Sequence, residues 1–175
     1  FIGDYSGLRV LDLGGGPGDF SIEFAKRGAT VTWYDVSQNY KRMAEERAKL
    51  AGVNIEMCLG YMDEVPYSLD RSFDLVFNRV CWYYGSSDRR FGRVLKRLVR
   101  PGGYVYVETN NALCRKQGLI QNLQYFLNNT TWWKVGHPYP PSGRVEQVLQ
   151  NNEFKLLDSD YSRHGFDRVL FRARE

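Results

Sequence analysis

The sequence predicts an α/β fold in which a doubly wound, mostly parallel sheet carries helices on both faces. Three observations lead there. Short runs rich in β-branched and aromatic residues recur along the chain. Stretches with helical spacing of apolar residues separate them, and four glycines (Gly14, Gly15, Gly16, Gly18) crowd the turn that follows the first run. Strands alternating with helices build βαβ units, whose crossovers leave neighbouring strands parallel.

Leu8 to Leu13 is the first strand, and Phe20, Phe24 and Ala25 mark the helix after the glycines. A second strand in "ATVTWYDVS" ends at Asp35. The helix-prone "QNYKRMAEERAKLAG" follows it and stops at Gly52. "VNIEMCLG" and "SFDLVFNRVC" read as strands three and four. From Arg90 to Arg100, Phe91, Val94, Leu95, Leu98 and Val99 follow helical spacing, with Arg90, Arg93, Lys96, Arg97 and Arg100 opposite. "RPGG" ends that helix and "YVYVET" is strand five. An aromatic, amide-rich stretch at 110–143 interrupts the rhythm and is long enough to be read as a lid. A short helix at Arg144 to Gln150 and two closing strands, "FKLLDSD" and "DRVLFRAR", complete the chain, the closing pair expected antiparallel.

Length and composition bound the function. At 175 residues with 43% hydrophobic content, the chain is expected to form a single domain spanning 1–175. It starts at Phe1, close before the glycine turn, so an upstream segment is expected to be missing. Cys58, Cys81 and Cys114 form no C-x-x-C pair, which argues against a disulfide framework or a zinc knuckle, predicts no metal, and fits a reducing, cytoplasmic setting. No apolar run reaches the roughly 18 residues needed to span a bilayer, so no membrane partner is expected. A net charge of +4 permits contact with polyanions without demanding it. The basic row from Arg89 to Arg100 lacks interleaved aromatics for base stacking, which argues against nucleic acid.

The glycines narrow the ligand. In open parallel sheets, ligands sit beyond the carboxyl ends of the strands, and glycines let the backbone approach them. A dinucleotide fingerprint, G-x-G-x-x-G, would need a third glycine where Asp19 stands. What stands instead is D-x-G-x-G-x-G: Asp12, Gly14, Gly16 and Gly18. A carboxylate there repels a pyrophosphate and suits a ligand bearing an ammonium and a sulfonium.

With "VLDLGGGPG", "YDVS", "LGYMDEVPY", "SFDLVF" and "LVRPGGYVYVET" in this order, the chain resembles the class I S-adenosylmethionine-dependent methyltransferases of the small-molecule type over nearly its whole length. The resemblance implies a Rossmann-like, three-layer α/β/α fold, a seven-stranded sheet with the last strand antiparallel, and S-adenosyl-L-methionine as cofactor. It implies that Asp12 and the loop of Gly14, Gly15, Gly16 and Gly18 hold the methionine end. Asp35, with Val36 beside it, would take the ribose hydroxyls, although Asp35 also reads as a turn or capping acid. The family's acid after the third strand's glycine is replaced by Tyr61. Adenine contact then falls to Tyr61, to backbone groups, or to Met62, which reads equally as core; Asp63 serves only if the loop shifts.

Methyl transfer is an in-line displacement at an activated carbon, so alignment matters most and a base only for some acceptors. The resemblance points Asn78 at the sulfonium end. Trp82, Tyr83 and Tyr84 either line the acceptor pocket or pack the next helix onto the sheet. His137, on the lid, is a candidate general base or a structural turn residue. Trp132, Trp133 and Tyr139 offer a lid surface or a dimer contact, leaving monomer and homodimer both open. Arg79 and Arg115 either pair with an anionic acceptor or form surface salt bridges, and His164 is the weaker histidine. The leading expectation is methyl transfer to oxygen, nitrogen or carbon of a small molecule. An RNA or protein methyltransferase, or a catalytically silent cofactor-binding module, are the alternatives.

Overall fold

The computed structural model describes residues 4–114, 117–162 and 165–175. Arg115 and His164 lie outside the described residues. Seven strands form one sheet: β1 (Arg9–Leu13), β2 (Thr30–Asp35), β3 (Glu56–Leu59), β4 (Phe73–Arg79), β5 (Val99–Asn110), β6 (Phe154–Ser162) and β7 (Phe166–Ala173). Their order is β3-β2-β1-β4-β5-β7-β6. Strands β1 to β5 pair parallel, while β7 runs antiparallel to both β5 and β6. The chain winds outward from β1 through β2 to β3, then returns to lay β4 on the other side of β1. That reversal opens a crevice beyond the carboxyl ends of β1 and β4, the position where such sheets bind ligands.

The helices are α1 (Asp19–Lys26), α2 (Gln38–Ala51), α3 (Asp88–Leu98), α4 (Leu119–Thr130) and α5 (Arg144–Leu149). Alternation along the strands divides the core into two layers. Val10, Val31, Leu75 and Phe77 pack with Phe24 of α1. Leu11, Leu13, Val76, Val105 and Val107 pack with Phe91, Leu95 and Leu98 of α3 and Val145 and Leu149 of α5. Ser37 caps α2 by accepting from the Tyr40 N–H, and Gly52 closes it with φ 69°.

Two elements differ from the sequence reading. Strand β5 is entered at Val99, immediately where α3 ends, and the "RPGG" segment then bulges out unpaired between the Phe73–Val99 and Leu75–Tyr104 partners, rather than lying before the strand as a free turn. The 110–143 stretch contains a three-turn helix, α4, whose Leu119, Ile120, Leu123 and Phe126 are exposed. An apolar row that faces solvent among Asn and Gln residues does not announce itself as a core stripe.

Gly92 stands mid-helix in α3, where glycine costs about 1 kcal/mol relative to alanine. A Cβ there would lie 2.4 Å from Val148 Cγ1, so the glycine lets α5 settle directly onto α3. Gly92→Ala is therefore expected to destabilise the fold by about 1–3 kcal/mol in urea unfolding. Combined with Val148→Ala it should cost clearly less than the sum of the two single changes. Strict additivity would disprove the contact.

Candidate active site

The second strand shapes the glycine turn. Gly14 N–H and Gly15 N–H both donate to Tyr34 O, at 2.7 and 3.3 Å. Trp33 Nε1 donates to Gly16 O at 3.0 Å, and Gly16 N–H donates to Asp35 Oδ2 at 3.0 Å. Three consecutive β2 residues thus fix three consecutive turn residues. The fully buried Trp33 indole occupies the space where a Gly15 side chain would begin, 2.2 Å from that Cβ position. Cys81 Sγ does the same at Gly14, and Ala44 of α2 at Gly18. Only at Gly16, with φ +50°, is the surrounding space open. Most of the glycine requirement comes from the protein's own packing, and Gly16 is the position left for a ligand.

This turn borders a cavity of about 700 Å³ at the crevice beyond β1 and β4. Asp12, Gly14, Gly15, Gly16, Asp35, Val36, Tyr61, Met62, Arg79, Tyr83, Tyr84 and His137 all line it, as does Asp63. Gly18 does not; it packs on α2. Asn78 is fully buried beneath the cavity, donating through Nδ2 to Leu13 O at 2.8 Å and to Cys81 Sγ at 2.9 Å. Strand alternation explains this, since its neighbours Phe77 and Arg79 take the cavity side. Trp82 is core rather than pocket: it is 1% exposed, its Nε1 donates to Asp88 Oδ1 at 2.8 Å, and its ring meets Phe91 edge-on. Trp133 is 71% exposed and outside the cavity lining, so it does not join the site either.

Phe20, Val80 and Cys81, which belong to no sequence motif of the site, also line the cavity. Val80 has φ +58°, a strained conformation for a β-branched residue, at the carboxyl end of β4. Such strain has no sequence signature. Tyr83, Tyr84, His137 and Tyr139 form an aromatic cluster, with Tyr83–Tyr84, Tyr84–His137 and Tyr83–Tyr139 ring centroids each 4.7 Å apart. Lys134 ties the lid segment to this cluster by donating to Tyr83 O at 2.8 Å and Gly85 O at 2.6 Å.

The cavity is acidic. Among the described residues Asp12, Asp35 and Asp63 form no ion pair, and Arg79 is already held by Glu108 at 2.9 Å, with its guanidinium over the Phe20 ring. Burial pushes the Asp12 carboxyl up to about 6, opposed by a hydrogen bond from Ser21 Oγ at 2.6 Å. His137 is shifted below its ordinary value by burial and by the Lys134 charge, so its imidazole is neutral at physiological pH. Burial also pushes the Tyr83 phenol up, which keeps it protonated. Unpaired carboxylates around a side-chain-free turn match a cationic ligand group. Among the described residues, no cluster of His, Cys, Asp or Glu has the arrangement of a metal site.

A family model described as a methyltransferase domain matches residues 10–103, more than half of the chain. The chain belongs to the class I methyltransferase family. The ubiquinone biosynthesis O-methyltransferase of Rhizobium leguminosarum bv. trifolii is 34% identical over 81% of this chain and 56% of its own length. That of Brucella anthropi is 28% identical over 88% and 62%. The methyltransferase chain thus spans little more than half the length of these relatives. Among solved structures, an S-adenosylmethionine-dependent methyltransferase from Mesorhizobium loti superposes with a TM-score of 0.74 at 20% identity, covering 98% of this chain and 93% of that one. The [4+2]-cyclase SpnF superposes with a TM-score of 0.76 at 18% identity, covering 97% and 75%. At these identities the likeness establishes the shared fold, and chemistry has to come from the site.

Asp12 links that site to stability in this methyltransferase domain. Its folded-state value of about 6 lies above the ordinary 3.8, so the favourable contribution of the protonated form is complete below pH 3.8 and is lost as pH rises through 6. The ionised carboxylate then costs up to about 3 kcal/mol. Asp12→Asn is expected to raise the melting temperature of the ligand-free protein at pH 8 and change it little at pH 4. A shift of equal size at both pH values would contradict this.

Proposed function

We propose that the chain transfers a methyl group from S-adenosyl-L-methionine to a hydroxyl of a small-molecule acceptor, with His137 as general base. The observation that carries this reading is the pairing of an acidic, cation-seeking cavity around Gly16 with a neutral imidazole at its aromatic end. The similarity to relatives named as O-methyltransferases supports oxygen as the acceptor atom. We place the reaction in the cytoplasm, which the free thiols fit, with the chain acting as a monomer or homodimer; no described helix is long and apolar enough to cross a membrane.

The residues present fit this cofactor. Asp12 answers the ammonium, and Gly16 admits the methionine chain. Asp35 already accepts from the Gly16 and Ser37 N–H groups, and its remaining lone pairs can accept from ribose hydroxyls. Val36 and Met62 offer apolar contact for the adenine, with Tyr61 beside them, and Asp63 Oδ1, buried without a partner, is an acceptor for an amino group. When bound, the cofactor supplies a methyl carbon attached to positive sulfur. Tyr83 and Tyr84, which line the cavity, would border that cationic region and exclude water from it. His137 takes the proton from the acceptor hydroxyl as the oxygen attacks, and the 110–143 segment carrying it serves as the lid.

Saturating S-adenosylmethionine, at 100-fold excess over Kd, should stabilise the protein by about 2.7 kcal/mol, and Asp35→Ala should remove that gain. An undiminished thermal shift in the variant would refute the ribose assignment. His137→Ala should lower kcat by about 10² to 10⁴ with little change in KM for the cofactor. In the unaltered protein kcat should hold down to about pH 6.5 and fall below it as His137 takes up a proton. Turnover that is unaltered in His137→Ala across this range would eliminate the base.

A further inference from the structure

A second cleft lies away from the active site, between α3 and α5, with a volume of about 300 Å³. Its lining is Arg89, Arg93, Lys96, Arg144, Gln147 and Val148, with no carboxylate among them. The three α3 cations fall at i, i+4 and i+7, one face of the helix. The close approach at Gly92 brings α5 alongside and closes the other wall.

The basic row of α3 is not uniformly solvated. Arg97 pairs with Asp70 and Arg100 pairs with Asp74. Arg89 and Arg93, by contrast, make no ion pair or side-chain hydrogen bond among the described residues. Lys96 donates to Val148 O at 2.9 Å and is shifted below its ordinary value by burial, against the raising influence of Glu153. The Arg144 charge is met by Asp88 at 3.0 Å. Like charges one helical turn apart repel, and desolvating Lys96 adds to the cost, so the cleft carries two unpaired guanidinium charges and a third cation, Lys96, that only Glu153 offsets, in a small volume. Two free guanidinium forks beside an ammonium suit phosphate oxygens, which they can bind bidentately.

The geometry points to an anion-binding site in this cleft that takes a diphosphate group, either free or borne on a nucleotide. A diphosphate matches the uncompensated charge, and the volume admits two phosphates. The site shares no lining residue with the methyl-transfer cavity.

Isothermal titration at about 50 mM salt, where surface charge is weakly screened, tests this with sodium pyrophosphate, ADP and inorganic phosphate as probes. The expected result is one saturable site per chain for pyrophosphate and for ADP, with inorganic phosphate weaker. The double variant Arg89→Gln/Arg93→Gln should raise both dissociation constants by about tenfold or more while its melting temperature holds. A control of equal charge change on exposed residues elsewhere, Lys26→Gln/Lys49→Gln, should leave them unchanged. Tighter ADP than pyrophosphate assigns the group to a nucleotide, and equal affinity assigns it to free diphosphate. Absence of pyrophosphate heat, equal weakening in the control pair, or single-stranded RNA displacing pyrophosphate at lower concentration would each overturn the site.

Discussion

The contact on which the site depends is the Trp33 indole seated against Gly15 with its N–H on the Gly16 carbonyl. A strand residue that fills the space of an absent side chain locks the turn to the sheet. It also leaves the next backbone N–H pointing at Asp35. Turn and carboxylate are consequently one rigid unit, because β2 supplies both the wedge and the acid within three residues. Ligand binding at such a unit avoids much of the ordering cost that a free glycine loop would incur.

Around this unit, charge is distributed by neutralisation as much as by placement. Arg79, which lines the cavity, is paired with Glu108, which also holds Arg168 at 3.0 Å, and Asp160 meets Arg168 in turn at 3.6 Å. His137 is kept neutral by burial and by Lys134. The turn side of the cavity therefore stays acidic, and its aromatic end offers a neutral proton acceptor beside the Lys134 ammonium.

The sheet was legible because its signals are local: apolar runs, glycine stops and the basic-apolar split of α3 each report their own segment. The lining of the candidate site was legible where a backbone pattern dictates it, as at Asp12, Gly16 and Asp35. It failed where direction matters. Trp82, Tyr83 and Tyr84 occupy one turn of 3-10 helix, in which three residues complete a revolution, so adjacent aromatics diverge, Trp82 to the core and the two tyrosines to the cavity. Asn78 was misdirected for the matching reason in a strand, where alternate residues face opposite sides. Helix α4 leaves no such trace, because Leu119, Ile120, Leu123 and Phe126 are exposed and no core claims its apolar side.

Cys81 carries one further consequence. Its sulfur touches the space above Gly14 at the cavity floor, and burial, with Asp12 nearby, pushes the thiol up to about 12. An alkylating ligand held in this cavity lies beside a latent nucleophile that keeps its proton. The burial that completes the floor thus also keeps this sulfur in its less reactive thiol form.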